Sequence, residues 1–374
     1  MDPKVTSSTF CTYTATREDT TTTIFFITGN PGLIGYYHPF LSLLAENLKN
    51  GPSQDRPATV QACKGSDEAF QIYGRSLGGF VIDSDEKRFE HGDRRASPGD
   101  SQTRLYDLED QICFVHDSLN ALMGHNAASS STHSLDNESC SSPRKRRVIL
   151  IGHSVGAYIA MEVLRRHREA TSESVKSGER GVYDEGFDII GGVMLFPTVK
   201  DIAHSPSGQK LTTLLSLIPH FAMVVSFIAG ILTSILSMSA LKSVIKLVMR
   251  DPPTHALETT TSFLKSSQGV RQALHMAADE MRTITSDKWT DDTWGVAQTQ
   301  DPVSRLYFYF GRNDHWVAEK TRKEIIAMRS STKREDGLGP QMIVCEDGLP
   351  HAFCLKHSDV MARKVAAMIR EIAS

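Results

Sequence analysis

The 374-residue chain has no surplus of either charge, no cysteine pair at metal-ligand spacing and no apolar run at its N-terminus, and each absence closes a class of function. A net charge of −3 excludes nucleic acid as the main partner, because nothing supplies a broad basic face. The one basic cluster, Arg144-Lys145-Arg146-Arg147, stands where a linker meets a strand and reads as a solvated edge rather than a nuclear signal. Cys11, Cys63, Cys113, Cys140, Cys345 and Cys354 form no C-x-x-C or zinc pattern, so reduced, cytosol-facing thiols fit, and neither a metal nor an organic cofactor is expected. The opening MDPKVTSSTFCTYTATRED has no apolar core, and no cleaved secretory signal is expected. The length allows one large domain, or one domain with a cap.

What the chain does have is the stretch Arg147 to Val163, RVILIGHSVGAYIAMEV. An apolar β-rich run leads into Gly152-His153-Ser154-Val155-Gly156, and a helical pattern follows. That is the form of a nucleophile elbow, where a sharp strand-to-helix turn exposes a serine and glycines two positions either side remove clashing Cβ atoms. A second G-x-S-x-G, Gly74-Arg75-Ser76-Leu77-Gly78, lacks these flanks. GFVIDSDEKR follows it without a helical stripe, so Ser76 reads as part of a glycine-rich loop.

Around the elbow, strands and helices alternate. Thr22 to Thr28 is a strand candidate running into Gly29-Asn30-Pro31-Gly32, with a helix over Tyr36 to Leu48. Ser101 to Met123 carries a helical stripe at Leu105, Leu108, Ile112, Val115, Leu119 and Leu122. Asn126 to Pro143 reads as a disordered Ser/Asn/Thr-rich insert, and a polar stretch, Glu169 to Glu185, precedes a strand at Ile189 to Phe196. Arg305 to Phe310 and Gln341 to Cys345 are further strands, and a helix over Val360 to Ala373 closes the chain. This order predicts an α/β fold with a mostly parallel, doubly wound sheet, of α/β-hydrolase type, carrying an inserted apolar helical cap or anchor. The expected organisation is residues 1–200 as the first part of the core, 201–300 as the insertion and 301–374 as the second part.

In that fold the catalytic residues follow the chain order serine, acid, histidine. Downstream of Ser154, Asp314 lies in the loop after one strand and His351 in the loop after another. Ser154 is then the nucleophile, His351 its base and Asp314 the carboxylate that orients the imidazole. Asp347 and His357 are the rivals for the last two roles. For the oxyanion the candidates are the N–H groups of Val155 and of Asn30, since Pro31 has none.

With the early G-N-P-G loop, GHSVGAYIAMEVL, Phe196-Pro197-Thr198, His204-Ser205-Pro206-Ser207-Gly208 and GRNDHWV, the chain resembles the lipid droplet-associated hydrolase family from about Ile24 onward. The resemblance implies a serine esterase with Ser154, Asp314 and His351 at the triad positions. It also implies neutral lipid esters, sterol esters or triacylglycerols, as substrates, cleaved through an acyl-serine at the lipid droplet or the cytosolic face of the endoplasmic reticulum membrane. A droplet-bound structural or tethering protein with little turnover, or an acyltransferase, are the alternatives.

From Leu211 to Leu241 no residue is formally charged. A single transmembrane span between Ser154 and Asp314 would divide the site across a bilayer, and two full spans need about 40 apolar residues. Leu211 to Val248 is therefore expected to be monotopic, a hairpin or pair of helices in one leaflet. Pro219 and Gly230 would be its bends, with Lys242, Lys246 and Arg250 at the surface.

Overall fold

The computed structural model describes residues 3–15, 22–50, 68–80, 104–130, 145–177, 186–218, 220–296, 304–330 and 339–374. Its centre is an eight-stranded sheet: β1 (Lys4–Val5), β2 (Thr9–Tyr13), β3 (Thr22–Ile27), β4 (Phe70–Arg75), β5 (Arg146–His153), β6 (Phe187–Leu195), β7 (Arg305–Phe310) and β8 (Gln341–Val344). The spatial order is β1-β2-β4-β3-β5-β6-β7-β8, and every pairing from β4 to β8 is parallel. β2 runs against both of its neighbours.

β5 lies between β3 and β6, covered on both faces, which is why Val148 to Ile151 is an unbroken apolar run. Alternate side chains enter two separate cores. Val148 and Leu150 meet the layer of α2 (Leu108–Ser130) and α3 (Val155–Ser177), while Ile149 and Ile151 meet α1 (His38–Lys49) and α11 (Ser358–Ala373). The chain leaves β3 for β4 on one side, then crosses back to β5 on the other. Such a reversal opens a crevice at the carboxyl ends of β3 and β5, where a ligand can sit.

Several boundaries differ from the sequence reading. The helix expected from Ser101 begins at Leu108, because Asp107 caps it: its Oδ1 accepts from the Asp110 N–H at 2.8 Å and its own N–H meets Asp110 Oδ2 at 3.3 Å. Leu105 therefore lies outside the helix. The same helix runs to Ser130, so the first residues of the expected insert, Asn126 to Ser130 with two helix-favouring alanines, are helical. Residues 131–143 lie outside the described residues. α3 likewise continues to Ser177, supported by an Arg165–Glu169 pair one turn apart at 2.6 Å.

Between β6 and β7 come α4 (Pro206–Leu217), α5 (Phe221–Ile235), α6 (Met238–Val248), α7 (Thr254–Lys265) and α8 (Gly269–Thr283). α9 (Glu319–Ser330) and the short α10 (Phe353–Lys356) follow β7 and β8. α5 is continuous through Gly230, so that residue is not a bend, and a lone glycine costs a helix only about 1 kcal/mol. The axes of α4 and α5 meet at 92°, a second break follows at Leu236-Ser237, and Pro219 lies outside the described residues. Among the described residues no single helix is long and apolar enough to cross a membrane.

α5 has its polarity reversed. Phe221, Ala222, Val225, Ser226, Ala229 and Thr233 are half-buried against the protein, while the larger side chains Phe227, Ile228, Ile231, Leu232 and Ile235 are exposed. Among the described residues every exposed large apolar side chain except Val5 and Met328 lies between Leu214 and Val248. The hydroxyls of Thr233 and Ser234 bond back to the Gly230 carbonyl at 3.1 and 2.7 Å, so they need no water.

Candidate active site

Ser154 sits at the tip of the β5-to-α3 turn with φ +57°, the left-handed region that a side chain enters only under constraint. The constraint is close packing. A Cβ on Gly152 would stand 2.3 Å from the Gly156 carbonyl oxygen, and one on Gly156 would stand 2.5 Å from the carbonyl oxygens of Ile27 and Thr28. Both glycines are dictated by backbone approaching backbone.

The structure brings Ser154, Asp314 and His351 together. Ser154 Oγ is 2.9 Å from His351 Nε2, and His351 Nδ1 is 2.8 Å from Asp314 Oδ2. The Asp314 side chain is almost fully buried, and its Oδ1 accepts from the Trp316 N–H at 2.8 Å. Arg322 from α9 holds the preceding loop by donating to the carbonyls of Gly311 and Arg312, both at 2.6 Å. The rivals lie elsewhere: Asp347 pairs with Lys364 at 2.9 Å, and His357 stands at the start of α11, its carbonyl accepting from Met361.

Among the described residues the N–H groups of Val155 and Asn30 have no hydrogen-bond partner. Val155 opens a helix of 23 residues, whose N-terminus favours negative charge. The Asn30 side chain reaches α8, donating from Nδ2 to the Ala273 carbonyl and to Glu280 Oε1, each at 2.9 Å.

Two further residues tie the loops together, and the sequence reading missed both. His153 Nε2 lies 2.9 Å from the His351 carbonyl oxygen, which can only accept, so Nε2 carries the proton and Nδ1 accepts from the Tyr37 hydroxyl at 2.7 Å. The Tyr37 oxygen in turn accepts from the Gly29 N–H at 3.2 Å. Burial holds the His153 imidazole neutral and pushes the Tyr37 phenol up. Ser76, the serine of the second motif, is buried and accepts from the Ile34 N–H at 3.1 Å, a bond that anchors the same early loop.

The insertion is stitched to this edge of the sheet. Ser207, at the start of α4, donates to the His315 carbonyl at 2.9 Å, and the Trp316 ring lies 6.5 Å from that of His351. Among the described residues no group of three His, Cys, Asp or Glu side chains could hold a metal ion.

The sheet order, the crossover at β3 and β5 and a serine on a strained strand-to-helix turn define an α/β-hydrolase. The crystal structure described as DBJA (mutant dbja delta) shares this fold, with a TM-score of 0.50 at 11% identity over all of this chain and 99% of that one. More particularly, the family profile described as lipid-droplet associated hydrolase matches residues 20–354, and the chain belongs to that family. It is 25% identical to the lipid droplet-associated hydrolase of Gallus gallus over 347 residues, 92% of this chain and 83% of that protein. Against the Homo sapiens protein of the same name it is 23% identical, over 93% and 84% of the two chains. Family and fold together mark the protein as a hydrolase.

Proposed function

We propose that the protein is a serine esterase of neutral lipid esters, sterol esters or triacylglycerols, working on the surface of lipid droplets and on the cytosolic face of the endoplasmic reticulum membrane. The observation that carries the reading is the unbroken chain from Ser154 Oγ through His351 to Asp314. A scaffold has no need of a serine held at left-handed φ against a histidine that is itself bonded to a buried carboxylate.

In this mechanism Asp314 accepts a hydrogen bond from the Nδ1–H of His351 and stays ionised, which leaves Nε2 unprotonated to take the Ser154 proton. The serine oxygen attacks the ester carbonyl, and the oxyanion meets the N–H groups of Val155 and Asn30. His351 then returns the proton to the departing alcohol, leaving an acyl-serine. Water enters by the same route in reverse and releases the fatty acid.

The apolar face of α5 and its neighbours supports a lipid surface as the place of work, since an exposed patch of this extent needs an apolar cover. The relatives' name supports the droplet in particular. α4 to α6 would lie monotopically in the monolayer, with Lys242, Lys246 and Arg250 at the headgroups. A fluorophosphonate probe should label the wild type at Ser154, and Ser154→Ala should lose both label and turnover of a nitrophenyl ester. Wild-type turnover by Ser154→Ala would end the proposal, and assay with a lipid ester plus an added sterol separates hydrolysis from acyl transfer.

A further inference from the structure

We propose that Glu280 is a positioning residue for the oxyanion site, which makes the inserted helical layer part of the catalytic apparatus. This rests on the serine esterase reading above, in which the Asn30 N–H is the second oxyanion donor.

The early loop is short and nearly bare of side chains, so its shape depends on outside bonds. Most of those bonds act beside the donor residue. Gly29 N–H goes to Tyr37, Leu77 N–H comes to the Gly32 carbonyl at 2.8 Å, and Ile34 N–H goes to Ser76. Among the described residues the bonds that act on Asn30 itself are those of its amide with Ala273 and Glu280. The two acceptors stand two turns apart on α8, so a single side chain spans a length of helix. Turning the loop would break both bonds.

Glu280 is an expensive residue for this place. It is 4% exposed, on the same buried stripe as Gln272 and Met276, where an apolar side chain would cost less. What it offers is an acceptor aimed at Asn30. Burial, with Asp279 adding to it, pushes the Glu280 carboxyl up from the ordinary 4.5 to about 8, so it is uncharged at neutral pH. An uncharged acid does not oppose a developing oxyanion nearby, whereas a carboxylate would. Among the described residues Asp279 is the charged group that acts on it, and Asp279 Oδ2 is engaged with the Leu108 N–H at 3.0 Å.

The test uses the full chain and a soluble nitrophenyl ester. Glu280→Gln keeps an uncharged acceptor, and its kcat should stay within about threefold of wild type. Glu280→Leu removes the acceptor, and its kcat should fall roughly 30-fold with KM within twofold, the signature of a group that matters in the transition state. In wild type kcat should decline as pH rises through about 8, while Glu280→Gln stays level to pH 9. A folded Glu280→Leu protein with wild-type kcat overturns the inference. Should that variant not fold, coincident pH profiles of wild type and Glu280→Gln overturn it instead. Wild-type protein that neither takes a fluorophosphonate label on Ser154 nor hydrolyses the ester removes the underlying esterase reading, and the role of Glu280 with it.

Discussion

His153 donates from Nε2 to the carbonyl oxygen of His351 across 2.9 Å, so the residue before the elbow serine holds the backbone of the histidine that faces that serine. Because Tyr37 completes the link to Gly29, the elbow and the loops of His351 and Asn30 share one hydrogen-bonded string. Its groups are buried, where a fixed tautomer and a neutral ring give rigidity without a charge to solvate.

Breaking that string should misplace the site without emptying it. His153→Leu is expected to lower kcat on a nitrophenyl ester by roughly 10- to 100-fold, the scale of a misplacement near 1 Å. Tyr37→Phe should produce a smaller fall, because His153 keeps its bond to His351. Both proteins should still take a fluorophosphonate label at Ser154, only more slowly. A His153→Leu enzyme with wild-type kcat would show the string to be idle.

Ser76 separates stability from chemistry. Ser76→Ala leaves the buried Ile34 N–H without its acceptor, a loss of about 1–3 kcal/mol. Urea unfolding should register that loss while probe labelling stays at Ser154. Labelling that moves or vanishes would mean that the second motif takes part in the reaction.

Glu280 also makes stability depend on pH. Its folded pKa, about 8, lies above the ordinary 4.5, so the folded protein holds this proton more tightly than the unfolded chain does. The contribution is complete below pH 4.5 and is lost as pH rises through about 8. Relative to Glu280→Gln, wild-type Tm should therefore fall across this window and run parallel outside it. Parallel curves at every pH would place the carboxyl in an ordinary, solvated setting.

The apolar face of α5 should be separable from the site beneath it. Phe227→Glu with Ile231→Glu places two charges on exposed positions of α5. Flotation with triolein droplets coated in phosphatidylcholine should drop at least tenfold, while kcat on a soluble ester stays within twofold. Undiminished flotation would move the lipid contact to another surface.

The elbow was legible because its determinants are local. Gly152 and Gly156 are forced by backbone contacts within a few residues and one neighbouring strand, and β5 announces its double burial by an unbroken apolar run. Ser154, Asp314 and His351 could be read in order, since each follows a strand whose side chains are large and apolar. Glu280 was not legible, as its meaning depends on Asn30, 250 residues away in sequence. The available signal was an acid on the inward stripe of α8, in line with Gln272 and Met276. His153 was hidden inside the motif itself, read as the variable position of G-x-S-x-G. The apolar stripe does not mark where α2 starts; the signal for that is Asp107 and Asp110 at cap spacing.

The reversed polarity of α5 has a consequence for the protein in free solution. An outward row of Phe227, Ile231 and Ile235 gains by meeting any apolar surface, and a second copy carries the same row. Where α5 meets lipid as proposed, self-association through this row would compete with lipid binding for one set of side chains. The fraction of protein on lipid becomes a contest between two equilibria, weighted by protein concentration on one side and by available lipid area on the other.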